Sequence, residues 1–178
     1  MCEPELPLGA RPVLQFASSA RLLVVGQAPG TRVHETGIPW NDPSGERLRE
    51  WMGVDREIFY DFSEIAIVPM GFCYPGRGKS GDLPPRPECA ALWRDKIHQC
   101  LPQIELTLLI GQYAQQHYLG KDNLTLTERV SAWRSYLPNY LPLPHPSPRN
   151  NLWLRKNPWF DEVITLLQQQ VARILGRN

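Results

Sequence analysis

The sequence predicts an α/β domain on a mainly parallel sheet of four strands. Short apolar runs near residues 21–25, 64–69, 106–110 and 139–143 have the length and composition of strands. The stretches between them repeat apolar residues at helical spacing. Strands that alternate with helices are the pattern of a parallel sheet covered by its own crossover connections. With 178 residues and 42% hydrophobic content, the chain is long enough to bury one sizeable core, and a single domain over 1–178 is expected.

Taken in order, Arg21-Leu22-Leu23-Val24-Val25 is β-branched and apolar throughout, which suits a strand buried on both faces. Gly26-Gln27-Ala28-Pro29-Gly30 then breaks it into a loop. Asp42-Pro43 reads as an N-cap followed by a first-turn proline opening a helix. After Pro87, residues Cys89, Leu92, Trp93, Ile97, Cys100 and Leu101 recur at helical spacing, and Pro102 closes the run. Thr125 and Glu128 match a capping box ahead of Val130 and Trp133. The last helix starts near Pro158 and places Phe160, Val163, Ile164, Leu167, Val171 and Ile174 on one stripe.

Composition narrows the function classes. No apolar run reaches the roughly 18 residues that cross a bilayer, and the N-terminus, with Glu3 and Glu5, lacks the layout of a signal peptide, so a soluble, cytoplasmic protein of bacterial type with no membrane partner is expected. Formal net charge is +1, so contact with nucleic acid requires a local basic patch and not a global field. The 18 prolines and 13 glycines are spread as punctuation and form no low-complexity tract or repeat.

Two distant segments carry the chemistry. The Gly26–Gly30 loop follows the first strand, and His145-Pro146-Ser147-Pro148-Arg149-Asn150 follows the last. In a parallel sheet both open on the edge where ligands collect, so they are expected to share a pocket. Beyond the first loop come Thr36-Gly37-Ile38-Pro39-Trp40 and Ser44-Gly45. Together these segments resemble the two signature motifs of the uracil-DNA glycosylase superfamily, and the first follows without gaps the pattern of its iron–sulfur (family 4) branch. The resemblance runs from about Val13 to the last helix. It implies a three-layer α/β/α sandwich.

It also implies roles. Cleaving an N-glycosidic bond leaves negative charge on the departing base, so a neutral imidazole at His145 that donates to a base carbonyl stabilises charge present only in the transition state, worth roughly 3 kcal/mol. His145 and Gln27 are the catalytic candidates. Ala28 and Gly30 bring backbone N–H groups to water and base, and Asn41 is a further base contact. Trp40 offers a face for a flipped base, although an aromatic at that position is equally readable as core. Ser147, Arg149 and Asn150 fall in the segment that the superfamily inserts into DNA; with Arg155 and Lys156 they make a phosphate patch or, alternatively, an ordinary charged surface.

Two departures stand out. The family pattern has a carboxylate in the Gln27-Ala28 pair and this chain has none; Glu35 and Asp42 are the nearest acids, with Asp42 better read as a cap. The pattern also places a base-reading asparagine shortly before the first central cysteine, where this chain has Ile67-Val68-Pro69-Met70-Gly71-Phe72; Asn41 or Asn150 are the substitutes at hand.

Cys73 and Cys89 enclose fifteen residues, like one half of that branch's iron–sulfur site. Cys2 then fits the second position of the other half and the first falls ahead of residue 1, so the resemblance implies a 4Fe–4S site with one ligand missing from this chain. The residues themselves are also readable as ordinary thiols in a reducing compartment, and Cys100 as core. No cofactor is required for the chemistry.

The expected function is therefore a monomeric DNA repair glycosylase that hydrolyses the N-glycosidic bond of uracil or another damaged base flipped from single- or double-stranded DNA. The alternatives are a catalytically weak lesion or single-strand binding protein of the same fold, and a hydrolase or transferase acting on free nucleotides.

Overall fold

The computed structural model describes residues 3–79 and 81–177. After a 3-10 turn at Glu3–Glu5 come β1 (Leu22–Val25), α1 (Thr31–Thr36), α2 (Pro43–Met52), α3 (Arg56–Tyr60), β2 (Ile65–Ile67), β3 (Arg77–Gly78), β4 (Gly81–Asp82), α4 (Pro87–Gln99), β5 (Leu106–Ile110), α5 (Gln112–Leu119), α6 (Leu126–Ser131), β6 (Tyr140–Leu143), α7 (Asn151–Lys156) and α8 (Phe160–Ile174). Further 3-10 turns lie at Trp133–Tyr136 and Pro148–Asn150.

The central sheet has four strands in the order β2-β1-β5-β6, all parallel. Leu22 pairs with Ile65 on one side and Leu106 on the other, and Leu109 pairs with Pro142. Alternate strand residues feed two cores. Leu22, Val24, Leu106 and Leu108 point with Leu141 and Leu143 toward α2, α3, α6 and α8, where Met52, Phe59, Val130, Phe160 and Leu167 meet them. Leu23, Val25, Ala66, Val68 and Leu109 face α4 and α5 through Ile97 and Ala114. Helices thus cover both faces, giving the three-layer α/β/α sandwich. Because each strand is buried on both sides, it reads as a continuous apolar run and not an alternating one. Pro142 lies on the edge strand, where a missing N–H costs least and the open edge is blunted.

Local signals place the helices. Asp42 accepts from the N–H of Gly45 at 2.9 Å and Pro43 follows in the first turn of α2. Thr125 and Glu128 form a reciprocal capping box on α6. Phe160, Val163, Leu167, Val171 and Ile174 form the buried stripe of α8.

Two expectations are corrected. Leu92 and Trp93 on α4 are 39% and 48% exposed and Cys100 is exposed, so these three members of the predicted stripe do not belong to the core. Ile97 and Leu101 of the predicted set are buried and Cys89 packs against the same core, while Arg94 takes the remaining inward position. Both terminal nitrogens of Arg94 find polar partners there, donating to the carbonyl of Pro69 at 3.1 Å and to Tyr118 Oη at 2.9 Å, which makes an arginine acceptable at a core position. The β3–β4 hairpin is the second difference. Its two-residue strands are too short for any periodic signal.

Candidate functional site

β1 and β6 flank β5 in the sheet, and their carboxyl ends release the Gly26–Gly30 and His145–Asn150 loops on the same edge. The two loops enclose a cavity of about 610 Å³, inside the size range of small-molecule sites. Gln27, Ala28, Gly30, Trp40, His145, Ser147, Arg149 and Asn150 all line it, so most of the sequence-predicted site is brought together. Arg47 ties the two halves by donating to the Ser147 carbonyl at 3.1 Å.

Trp40 is held by its surroundings. Its φ of 54° places a non-glycine residue in the left-handed region, a strained conformation that the neighbouring packing must impose. Two glycines make room: a Cβ on Gly26 would sit 2.8 Å from Trp40 Cζ2, and one on Gly45 would run into the Trp40 carbonyl oxygen. The indole ends beside His145, ring centroids 5.5 Å apart at 32°.

His145 is partly buried and lines the cavity. The N–H of Ser147 donates to its Nδ1 at 3.2 Å, which leaves the proton of a neutral ring on Nε2. Asn150 Nδ2 donates to the His145 carbonyl at 2.7 Å and fixes the backbone. Burial depresses the imidazole pKa below its ordinary value, against the opposing pull of the Asp42 carboxylate.

The hairpin contributes residues that sequence reasoning missed. Arg77, Gly81 and Asp82 line the cavity together with Ser44. Gln27 Nε2 donates to the Leu83 carbonyl at 2.9 Å, joining the first loop to the hairpin. Asp82 stays solvent-exposed at the rim, yet partial burial of its carboxyl raises its pKa above the usual carboxylate range, with Arg149 and Arg77 opposing the rise. No local motif marks Asp82; it arrives from 55 positions beyond Gln27 by tertiary folding.

The floor is wired to the first loop. Met70 donates to the Gly26 carbonyl at 2.8 Å and Gly71 to that of Gln27 at 2.9 Å. Arg94 holds the same segment from behind through Pro69, which lines the cavity.

Other candidates lie elsewhere. Asn41 does not line the cavity; its Oδ1 accepts from the Arg56 guanidinium at 3.3 Å, so its amide is engaged outside. Asn150 lines it, but with its Nδ2 already committed to the His145 carbonyl. Arg155 and Lys156 are exposed on α7, outside the cavity. Glu35 is exposed on α1 and does not line it either, and His34 is buried beside Tyr74. Of the cysteines, Cys2 lies outside the described residues. Cys73 and Cys89 are partly buried, and Cys89 Sγ accepts from the N–H of Phe72 at 3.4 Å. Among the described residues no group of three or more His, Cys, Asp or Glu side chains gathers to hold a metal. No helix among the described residues is long and apolar enough to cross a membrane.

A family model described as the Uracil DNA glycosylase superfamily matches residues 14–168 of this chain.

Proposed function

Since the chain belongs to the uracil-DNA glycosylase superfamily, we propose that it is a DNA repair glycosylase that draws a damaged base into the cavity between the Gly26–Gly30 and His145–Asn150 loops and hydrolyses its N-glycosidic bond. The observation that carries this reading is the setting of His145: its Nδ1 accepts from Ser147 and burial lowers its pKa, which favours a neutral ring whose Nε2–H, in this reading, donates to a base carbonyl. Charge builds on that carbonyl as the bond breaks. A preorganised donor therefore lowers the barrier more than it lowers the ground state.

The surrounding groups fit the same chemistry. Ala28 and Gly30 line the cavity with Trp40; in this reading their backbone N–H groups meet water and base, and the indole supplies an apolar wall for a base outside the stack. Ser147 and Arg149 at the mouth, with Arg155 and Lys156 on α7, are the phosphate contacts in this reading. The proposed step uses side chains and backbone groups of this chain.

The Ile67–Phe72 segment carries no base-reading asparagine, so uracil and purine-type lesions are both substrates to test. Abasic-site-dependent strand cleavage on oligonucleotides carrying uracil, hypoxanthine or xanthine, single- and double-stranded, tests the reading. Cleavage of at least one is expected and names the substrate. The lack of a carboxylate at positions 27 and 28 favours, as a second reading, a lesion-binding protein without hydrolysis. Retained binding with no cleavage of any oligonucleotide would establish that second reading.

A further inference from the structure

The loop after β1 lacks an acid at positions 27 and 28, yet a carboxylate reaches the same cavity from the β3–β4 hairpin. Asp82 Oδ2 stands 3.4 Å from the point where a Cβ on Gly30 would lie, so this carboxylate leans directly on the Gly26–Gly30 loop. The hairpin is held in place by Gln27 itself, through the 2.9 Å bond from Nε2 to the Leu83 carbonyl. Leu83 in turn donates its N–H to the Gly76 carbonyl at 2.9 Å and closes the hairpin base. A glutamine can make that bond because its amide donates; a carboxylate in its place would meet the Leu83 carbonyl without a proton.

We propose that Asp82 orients and deprotonates the water that attacks the sugar, and that Gln27 is the residue that positions it. This rests on the glycosylase reading above. In the step, one water proton passes to the Asp82 carboxylate while the water oxygen bonds to C1′. The C1′–N bond breaks, its electron pair leaves with the base, and His145 Nε2–H stabilises the charge on the base carbonyl. Asp82 then returns its proton to the departed base or to solvent.

The other acid in the cavity is already employed. Asp42 Oδ1 accepts from Gly45 as the N-cap of α2. The Asp82 carboxylate makes no hydrogen bond or ion pair among the described residues and so keeps its lone pairs for a ligand. Partial burial also makes it a stronger proton acceptor than an ordinary carboxylate, while Arg149 and Arg77 favour its ionised form.

The test is single-turnover base release with the best oligonucleotide from the panel above, using wild type, Asp82→Asn, Asp82→Ala and, as a control outside the cavity, Glu35→Gln. Asp82→Asn is expected to lose about 100-fold or more in rate while binding DNA within about threefold of wild type. Formate is expected to restore part of the Asp82→Ala rate, which a merely structural role for Asp82 does not predict. The wild-type rate should fall as pH drops through the Asp82 pKa, and Asp82→Asn should lack that acid limb. An Asp82→Asn rate within about threefold of wild type, or the same loss appearing in Asp42→Asn and not in Asp82→Asn, overturns the assignment while leaving the glycosylase reading intact. Wild type that releases no base from any oligonucleotide overturns both.

Discussion

The indole of Trp40 and the imidazole of His145 lie 5.5 Å apart, centroid to centroid, at an interplanar angle of 32°. At that spacing the rings touch and no base fits between them, so they form one continuous wall. Trp40 comes from the first motif and His145 from the last, and their contact makes two loops one site.

That wall depends on Gly26 and Gly45. Gly45→Ala drives a methyl into the Trp40 carbonyl in a part of the chain that cannot relax, and should cost about 3 kcal/mol, read from urea unfolding. Gly26→Ala meets the indole at 2.8 Å instead and should displace the ring at about 1 kcal/mol, lowering base release more than stability. Equal, negligible costs for both would show that Trp40 is not held in this way.

His145 makes stability pH-dependent in a defined direction. Its folded pKa lies below the ordinary value, so the unfolded chain binds more protons as pH falls past about 6.5. The His145 contribution is fully present above that pH and is lost on acidification toward the folded pKa. Histidine NMR titration should give His145 a midpoint below that of an unfolded reference peptide, and His145→Ala should flatten this part of the stability profile. A midpoint at or above the reference would contradict the neutral-donor account.

Arg94 supports the cavity from beneath. Replacing it with methionine leaves the carbonyl of Pro69 and the hydroxyl of Tyr118 without their buried donor, a loss of about 3 kcal/mol in unfolding free energy. Tyr118, whose pKa burial pushes up to about 12, also shares its hydroxyl with His98 Nε2 at 2.8 Å. Tyr118→Phe removes only one end of these bonds, so a smaller cost of about 1 kcal/mol is expected from the same measurement.

On the DNA side, Arg149, Arg155 and Lys156 should act through phosphates. Alanine at any one of them is expected to weaken binding to all oligonucleotides alike and to reduce the slope of log K against log salt by about 1. Fluorescence anisotropy across a salt series checks this. A change confined to one lesion would assign the residue to base reading instead.

The sheet was legible because burial on both faces turns each strand into an unbroken apolar run, as in Leu22–Val25 and Leu106–Ile110. The two loops were legible because Gly26–Gly30 and His145–Asn150 carry their chemistry in consecutive residues. Arg94 escaped notice as an inward residue of α4, since a charged side chain that donates to backbone carbonyls does not register in a hydropathy pattern. Asn41 looked available until Arg56 took its amide oxygen. Asp82 was invisible because tertiary contacts bring its hairpin to the cavity, among them the bond from Gln27 to Leu83 across 56 residues.

The central claim is that His145, facing this cavity, drives release of a base from DNA. Mass spectrometry of a single-turnover reaction on a uracil-, hypoxanthine- or xanthine-containing strand tests it most directly, with wild type beside His145→Ala. The account predicts free base and abasic strand in equal amounts from at least one substrate, and a rate about 100- to 1,000-fold lower for His145→Ala. Intact strands throughout, or equal release by the two proteins, would contradict it.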